Sequence, residues 1–533
     1  MSAAPKEFAG TPRAPARHNP WAIAFTVTLA TFMEVLDTSI ANVALPHIAG
    51  GLSASVDEST WVLTSYLVAN AMVLPLSAWA SAMLGRKKFY MTCVALFTIS
   101  SFMCGVAPTL AMLILFRIVQ GAGGEGLQPS EQAILADTFP PEKFGMAFAI
   151  YGMAVVAAPI IGPTLGGYIV DHFNWRWIFF INVPVGIISL LLSYRMVEDP
   201  PYLKEQKRNA RARMSIDYTG LGLVVVGLGC LQVVLDKGQE DDWLSSHFIL
   251  VLSVIAAVAL VSFVVWEWRQ THPILDVRLF AQRSFAISGL MMFAMGFGLY
   301  GTTVLLPLYT QTILGYSAQT AGMVISPGGI AVIFIMPLLG FLITKIQIRW
   351  LIATGFAISA FSLFHMSNIN PHTDFWTATM YRVYQSLSLG FLFVPITTMA
   401  YLGVPQEKNN QVSSIVNLGR NLGGSFGIAM VTTMLSRRSQ VHQHQLIYHL
   451  TGYDRPFQEA MGGMSAYFEQ QGFSPADAAN QAYGRIYGMV QIHSAAMAYV
   501  DAIWVMAWVS LCMVPLVFLL KKNNPQEAKM SPH

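Results

Sequence analysis

Charged residues are scarce in this sequence. Asp, Glu, Lys and Arg make up 11% of its 533 residues, whereas hydrophobic residues make up 54%. An ordinary soluble domain carries roughly 25% charged residues, so a chain of this length could not cover a water-exposed surface. The composition excludes a soluble globular protein and predicts a membrane protein. No dense basic stripe interleaved with aromatic residues is present, which argues against nucleic-acid binding.

Cysteine and the motifs of energy-coupling or metal-dependent enzymes are also scarce or missing. Four cysteines lie in apolar runs without C-x-x-C spacing and are expected to be buried hydrophobic side chains: Cys93, Cys104, Cys230 and Cys512. No Gly-x-x-x-x-Gly-Lys-Ser/Thr motif is present, which excludes an ATP-driven pump on this chain. No His-Glu-x-x-His motif is present either, which disfavours an intramembrane metalloenzyme. We therefore predict no enzyme activity and no metal site.

Long hydrophobic runs are abundant instead. A spanning helix needs about 20 mostly apolar residues, and fourteen runs of this kind occur. They lie near 21–46, 60–82, 89–107, 110–136, 145–168, 177–195, 216–235, 247–268, 284–310, 318–344, 350–367, 375–402, 409–435 and 493–520. The run at 409–435 is the weakest, because its first half is polar. The predicted fold class is an all-α polytopic membrane protein with 14 transmembrane helices.

The distribution of basic residues predicts the orientation in the membrane. With the N-terminus inside, 22 of the 31 Lys and Arg residues fall in cytoplasmic segments and only 2 in the short loops on the other side. This asymmetry follows the positive-inside rule. We predict that both termini are cytoplasmic and that the long loop 436–492 faces outward.

Two segments of the sequence resemble each other. Arg117-Ile-Val-Gln120-Gly121 in the fourth run is similar to Arg382-Val-Tyr-Gln385-Ser386 in the twelfth, and many transporters are built from related halves. The predicted organisation is a cytoplasmic tail at 1–20, a six-helix half at 21–195, a basic cytoplasmic linker at 196–215, two inserted helices at 216–268, a second six-helix half at 284–520 and a cytoplasmic tail at 521–533.

Five motifs occur in one order along the chain. They are Leu36–Pro46 (LDTSIANVALP), Arg117–Gly121 (RIVQG), Gly162–Gly167 (GPTLGG), Trp175–Pro184 (WRWIFFINVP) and Asn417–Ser425 (NLGRNLGGS). Together they resemble the fourteen-span drug:proton antiporter branch of the major facilitator superfamily, over roughly residues 20–520. Within that branch the sequence is most similar to the EmrB-type permeases of Gram-negative tripartite pumps.

This resemblance implies a major facilitator fold and a proton-coupled multidrug exporter in the bacterial inner membrane. The coupling ion would be the proton, with no other cofactor. The implied partners are an EmrA-like periplasmic adaptor and a TolC-type outer-membrane channel. One motif departs from the family pattern: Gly85-Arg86-Lys87-Lys88 is intact, but Ala78 and Ala82 stand where the family has Gly and Asp. The family's gating latch at that Asp is therefore not carried over.

Ionisable residues at membrane depth are costly and are candidates for function. At about 1.5 Å per residue, Asp37 in the first run and Arg117 in the fourth lie at matching depth below the outer face. We expect them to pair, and the resemblance implies that these positions communicate during proton exchange. The alternative is a static ion pair that only fixes helix packing.

Three further carboxylates, those of Glu34, Glu125 and Glu131, also lie in predicted spans. Glu34 is one turn from Asp37 on the same helix face, and two such carboxylates would titrate together. Glu125 lies among glycines that permit close helix packing and is expected to face protein or a cavity. Both are candidates for proton coupling, against the alternative of bystanders. Glu131 is expected at the solvated inner rim.

The remaining candidates concern conformation and the second half. The resemblance identifies Gly162, Pro163, Gly166 and Gly167 as the antiporter motif of exporters, whose bend favours outward release; the alternative is an ordinary kink. In the second half, Arg382 and Arg420 lie within spans, and Asp501 matches the depth of Arg382 and is expected to pair with it or to serve packing. Plausible pocket residues are Trp61, Tyr66, Phe293, Tyr300 and Tyr309, but the sequence does not identify the substrate site.

Two further functions compete with multidrug export. A non-transporting receptor or scaffold would leave the mid-membrane charges without a reason. A dedicated exporter of a metabolite or siderophore would use the same scaffold, and this alternative stays open.

The outward loop 436–492 is predicted to be partly helical, with a helix starting at Ser474-Pro475-Ala476-Asp477. It is the expected contact for the adaptor, against the alternative of a passive linker.

Overall fold

The computed structural model describes residues 18–200, 217–270, 273–402, 404–448 and 450–522, and within these ranges it contains helices and no β-strand. The predicted tails and the basic linker fall mostly outside the described residues. The α-helices are α1 (Pro20–Gly51), α2 (Val56–Leu84), α3 (Arg86–Val106), α4 (Leu110–Gly124), α5 (Leu127–Thr138), α6 (Phe144–His172), α7 (Trp177–Phe180), α8 (Asn182–Met196), α9 (Tyr218–Lys237), α10 (His247–Arg269), α11 (Arg283–Thr312), α12 (Ala318–Leu342), α13 (Ile348–Met366), α14 (Phe375–Tyr401), α15 (Asn409–Tyr448), α16 (Arg455–Gln470) and α17 (Pro475–Val517).

Thirteen helical stretches in the described ranges are long and apolar enough to cross a membrane, with α4–α5 and α7–α8 each forming one stretch. The fourteenth predicted span is α15, which is too polar to qualify by composition. At 40 residues it is nevertheless about 60 Å long. The predicted all-α polytopic class is confirmed. Residues 20–196 are called the first helical set below, and residues 283–517 the last helical set.

Many helices begin at a side-chain cap directly after a short loop. Ser55 and Glu58 form a capping box at the start of α2, in which Ser55 Oγ accepts from the backbone N–H of Glu58 at 3.1 Å. Asp374 caps α14 and accepts from Thr377 Oγ1 at 2.5 Å, and the Thr377 hydrogen bonds lower the pKa of this carboxyl. Such caps satisfy the free N–H groups of a helix start.

The segment 436–492 is more helical than the partly helical loop predicted from the sequence. Helix α15 continues to Tyr448, the short helix α16 follows, and α17 runs without a break from Pro475 into the last span. The predicted helix start is confirmed, because Ser474 Oγ accepts from the backbone N–H of Asp477 at 3.3 Å. Helix α16 packs on α17. The segment is therefore a helical extension of the bundle.

The two inserted helices, α9 and α10, form a hairpin beside the two sets. Asp236 and Lys237 at the end of α9 hydrogen-bond Thr64 and Thr60 of α2. Beyond them, Trp243 Nε1 donates to Thr433 Oγ1 of α15 at 3.1 Å. The hairpin tip therefore contacts both helical sets. Helix α10 exposes a continuous apolar face, as expected against lipid: Val251, Val254, Val258, Val261 and Val265.

Candidate functional site

Asp37 and Arg117 form a buried ion pair between α1 and α4. Arg117 Nη1 donates to Asp37 Oδ2 at 2.6 Å, and the two residues are 2% and 0% exposed. Two side-chain amides also hydrogen-bond the Asp37 carboxylate. Gln120 Nε2 donates to Oδ1 at 3.1 Å, and Asn182 Nδ2 donates to the same oxygen at 2.6 Å. The structure thus brings together the two charges whose depths match in the sequence.

Part of the remaining Arg117 guanidinium is also held by protein groups, whereas its Nη2 is buried without a hydrogen-bond partner. Its Nε donates to the backbone carbonyl of Val62 at 3.1 Å, and its Cζ lies 4.1 Å from the centre of the Tyr66 ring. An arginine over an aromatic face gains a cation–π interaction. Asn182 follows the break between α7 and α8 within the Trp175–Pro184 motif, and sequence reasoning did not identify it as a ligand of Asp37.

A second acidic cluster lies where α1, α4 and α5 meet. Glu34 is 3% exposed and accepts from Gln128 Nε2 at 2.7 Å and from the Tyr66 hydroxyl at 3.3 Å. Glu125 is 1% exposed; its Oε1 accepts from Asn421 Nδ2 at 2.7 Å, and its Oε2 has no hydrogen-bond partner. The helices approach closely here, because a Cβ on Gly124 would lie 3.1 Å from Glu34 Cγ.

Arg420 of α15 joins this cluster from the last helical set. It donates to Gln128 Oε1 and, at 3.2 Å, to the Tyr151 hydroxyl. Since Gln128 also donates to Glu34, a chain of hydrogen bonds runs from Arg420 to that carboxylate. The sequence presented Glu34, Glu125 and Arg420 as separate candidates, and the fold gathers them into one polar region between the two sets.

The predicted placement of Glu131 is wrong, and of the two alternatives for Asp501 the pairing with Arg382 is wrong. Glu131 does not lie at a solvated rim: it is fully buried and accepts from Thr28 Oγ1 at 2.5 Å, because α5 is covered by α1 and α6. Asp501 does not pair with Arg382. Its Oδ2 lies 2.5 Å from Arg438 Nε and 2.8 Å from His442 Nε2, because α15 continues beyond residue 435 and places both side chains, one turn apart, beside α17.

The predicted antiporter motif packs α6 tightly against α1. A Cβ on Gly162 would lie 2.4 Å from Ser39 Oγ, and one on Gly166 3.2 Å from Ile40 Cα. Pro163 has no N–H, so the Pro159 carbonyl four residues earlier lacks its helical partner. Ser39 Oγ donates to that carbonyl at 3.0 Å. Gly167 lies on another side, nearest to Gln319 of α12.

A further contact between the sets lies at the terminal end of the bundle, defined here as the end where α1 begins and α17 finishes. Arg86 forms an ion pair with Asp137 and donates to Asn410 Oδ1 at 3.1 Å. Asn409 Nδ2 donates to Asp137 Oδ1 at 3.0 Å. With Ala82 in place of the family's Asp, the basic motif here uses Asp137 and the start of α15.

Of the plausible pocket residues, Tyr66 and Tyr300 lie in this polar region, where Tyr300 interacts with Arg420. Tyr300 packs against Gly424, and Phe293 packs against Phe426 with ring centres 5.6 Å apart. Tyr309 stacks edge-on with Tyr499 at 5.1 Å, and Trp61 lies near Lys237, whose Nζ is 5.6 Å from its ring centre. The structure does not gather these side chains into one pocket.

Helical sets packed side by side, with ionisable groups buried between them, define a secondary transporter. The model for the Major Facilitator Superfamily matches residues 27–428, and the chain belongs to that superfamily. It is 38% identical over 463 residues to the multidrug export protein EmrB of Haemophilus influenzae, covering 86% of this chain and 88% of that protein. It is 37% identical over 497 residues to the Escherichia coli protein of the same name, covering 93% and 94%.

Other similarities are consistent with this placement. The fatty acid resistance protein FarB of Neisseria gonorrhoeae is 38% identical over 453 residues, covering 85% of this chain and 87% of that protein. Among solved structures, the proton:xylose symporter XylE superposes with a TM-score of 0.61 at 13% identity, covering 95% of this chain and 97% of that chain. The structural likeness shows the major facilitator fold, which the sequence predicts.

Proposed function

We propose that this protein is a multidrug efflux transporter that exports amphipathic or hydrophobic drugs across a bacterial inner membrane in exchange for protons. The observation that carries the proposal is the Asp37–Arg117 pair, buried between two helices of the first set. The relatives named as multidrug export proteins support drugs as the substrate class. On this proposal the chain is not an enzyme and needs no cofactor besides the coupling proton.

Proton exchange is proposed to act by changing the charge balance at Asp37. When Asp37 takes up a proton, Arg117 loses its counter-charge while remaining buried, which is unfavourable unless its surroundings rearrange. The amides of Gln120 and Asn182 bind the same carboxylate, so a change in its protonation alters contacts that join α1, α4 and α8. Loss of that proton restores the ion pair and the packing of these helices.

Glu34 and Glu125 are proposed as the second part of the coupling machinery. Glu34 is linked through Gln128 to Arg420, and Glu125 hydrogen-bonds Asn421, so both carboxylates contact groups of the last helical set or their direct partners. Protonation of either changes a contact between the sets. Alternating access in such transporters is largely the movement of one such set against the other.

The location and partners are further parts of the proposal. The excess of basic residues at the terminal end of the bundle supports a cytoplasmic location for that end, and the helical extension is then proposed to lie in the periplasm. An EmrA-like adaptor and a TolC-type outer-membrane channel are the proposed partners, with the extension as the adaptor's contact.

A dedicated exporter of one metabolite class is the second candidate. The observation that favours it is the similarity to a fatty acid resistance protein at the same identity as to the EmrB proteins. Transport of several unrelated drugs, with competition among them, would support the multidrug proposal over this one.

The test is drug-driven proton movement in reconstituted proteoliposomes. Addition of a substrate dye should cause the wild type to release protons, and Asp37→Asn should abolish this release. The matched control is Asp171→Asn, because Asp171 is exposed and makes no contact with the ion pair. Unchanged coupling in Asp37→Asn would contradict the proposal.

A further inference from the structure

Arg382 and Gln385 of α14 repeat the local geometry of Arg117 and Gln120 of α4. In each helix the arginine Nη1 donates to the glutamine Oε1 three residues later, at 2.9 Å in α4 and 2.8 Å in α14. Both arginines are buried, 0% and 1% exposed. The similarity of the two sequence segments therefore extends to the conformation of the side chains.

The partners of the two arginines differ in charge. Arg117 faces the Asp37 carboxylate, whereas the helix facing Arg382 supplies two hydroxyls: Thr302 Oγ1 and Thr303 Oγ1 each accept at 3.1 Å. Across the described residues, none of the ion pairs within 4.0 Å includes Arg382. Asp501, the carboxylate expected from the sequence, is bound to Arg438 instead. Among the described residues, the positive charge of Arg382 therefore has no counter-charge within ion-pair distance.

A buried charge without a counter-ion is strongly unfavourable. Neutral hydroxyl and amide oxygens satisfy some N–H groups of Arg382 but leave its net charge uncompensated. Two buried polar atoms at this position have no hydrogen-bond partner: Nε of Arg382 itself and Oγ of Ser386. Both residues pack against Gly328 of α12, where a Cβ would lie 2.5 Å from Ser386 Oγ and 2.9 Å from Arg382 Cγ. Both groups can donate, so they suit a negatively charged ligand.

We propose that Arg382 and Ser386 form a binding site for one monovalent anion, beside Thr302 and Thr303, whose hydroxyls orient the guanidinium and donate their own protons to backbone carbonyls of α11. The anion is either free chloride or the carboxylate of an amphipathic substrate, since a guanidinium binds both chemistries and matches a carboxylate in a bidentate fashion. The bound anion takes the place that Asp37 fills beside Arg117. The site lies outside the proposed proton-coupling residues.

The experiment measures thermal unfolding of the purified full-length protein in detergent, in a gluconate buffer, during titration with chloride or with decanoate. A saturable rise in the unfolding midpoint is expected for the wild type. Arg382→Gln should weaken the apparent affinity at least tenfold. The control for general salt effects is Arg195→Gln, because Arg195 is exposed and lies in the first helical set; this variant should respond as the wild type does.

Thr302→Asp keeps the test decisive if Arg382→Gln fails to fold. This change supplies an internal carboxylate to Arg382, so the variant should be as stable without added anion as the wild type is with it, and should show no further rise. A response to chloride assigns the site to a free anion, and a response to decanoate alone assigns it to the substrate carboxylate. The proposal is overturned if neither anion raises the wild-type midpoint, or if Arg382→Gln and Thr302→Asp respond unchanged. Asp37→Asn should still bind, which separates this result from the test of proton coupling.

Discussion

Asp37 and Arg117 depend on each other because of where they lie. A single charged side chain at the bilayer centre costs about 2.5–3.5 kcal/mol on insertion scales and more by other measures. The short Arg117–Asp37 contact and the two amide hydrogen bonds to the carboxylate offset that cost. Removing one member leaves an uncompensated buried charge, whereas removing both leaves neutral groups that pack with less penalty.

Arg117→Ala should therefore destabilise the protein more than the double change Arg117→Ala with Asp37→Asn. The expected loss for the single variant is roughly 3–5 kcal/mol, the range seen when one partner of a buried pair is removed. Thermal unfolding of both variants measures the difference, and both should lose proton-coupled transport. Equal stability of the single and double variants would mean that the two charges do not compensate each other.

Glu125 gives a second prediction at the scale of residues. Glu125→Gln keeps the hydrogen-bonding shape of the side chain but cannot exchange a proton. If Glu34 and Glu125 carry part of the proton flux, the number of protons released per drug molecule should fall in this variant, while drug binding stays within about twofold of wild type. Glu459→Gln is the control, since Glu459 is exposed in α16. An unchanged ratio would remove Glu125 from the coupling machinery.

At the scale of elements, α6 contains two prolines, which favour a bend, and it packs closely against α1. Pro159 and Pro163 both interrupt its hydrogen bonding, and the Ser39 hydroxyl compensates for the N–H that Pro163 lacks. The close approach favours glycine here, since a Cβ at position 162 would overlap the Ser39 side chain and one at position 166 would lie tightly against Ile40. The bend is therefore coupled to the helix that carries Asp37.

Pro163→Ala should reduce export while leaving substrate affinity within a few-fold, because it restores a helical hydrogen bond and straightens α6 without touching the charged residues. Ser39→Ala should have a smaller effect in the same direction, since it frees the Pro159 carbonyl but leaves the proline in place. Equilibrium binding of a fluorescent substrate and its transport into inverted vesicles separate the two properties. A large loss of affinity with intact turnover would contradict this role for α6.

The sequence predicts these elements well where hydrophobicity dominates. Helix positions and the Asp37–Arg117 contact follow from apolar length and from depth, which both depend only on spacing along a helix. The sequence does not predict properties that depend on packing between distant helices. The exposure of Glu131 depends on its burial by α1 and α6, and the partner of Asp501 depends on how far α15 continues. Asn182 and Ser39 escaped notice because a neutral polar side chain in a span carries no charge signal.

At the scale of the whole molecule, several of the polar contacts between the two helical sets involve the proposed coupling residues or their direct partners. Arg420 reaches Gln128 and Tyr151, and Asn421 reaches Glu125. Thr164 of α6 and Ser326 of α12 hydrogen-bond at 2.7 Å. Movement of one set against the other must break or exchange these bonds, so a proton arriving at Glu34 or Glu125 changes the energy of that movement.

The helical extension gives the last prediction, which concerns assembly. Helices α15 and α17 carry α16, whose single fully buried side chain is Phe457, so most of its surface is free for a partner. Replacing residues 449–474 with a short Gly-Ser linker removes α16 and keeps both long helices. If the adaptor binds this extension, the variant should lose co-purification with the adaptor but keep proton-coupled transport in proteoliposomes, because the Asp37 and Glu125 sites are untouched.

Asp37→Asn is the reciprocal control for this experiment. It should lose transport and keep the adaptor, since the substitution lies within the bundle and leaves the extension unchanged. The two variants together separate assembly from coupling. Persistent adaptor binding after the replacement would move the contact to the membrane-embedded surface, where α10 is the least buried of the candidate spanning helices in the described ranges. Loss of transport in the replacement variant would instead make the extension part of the transport cycle.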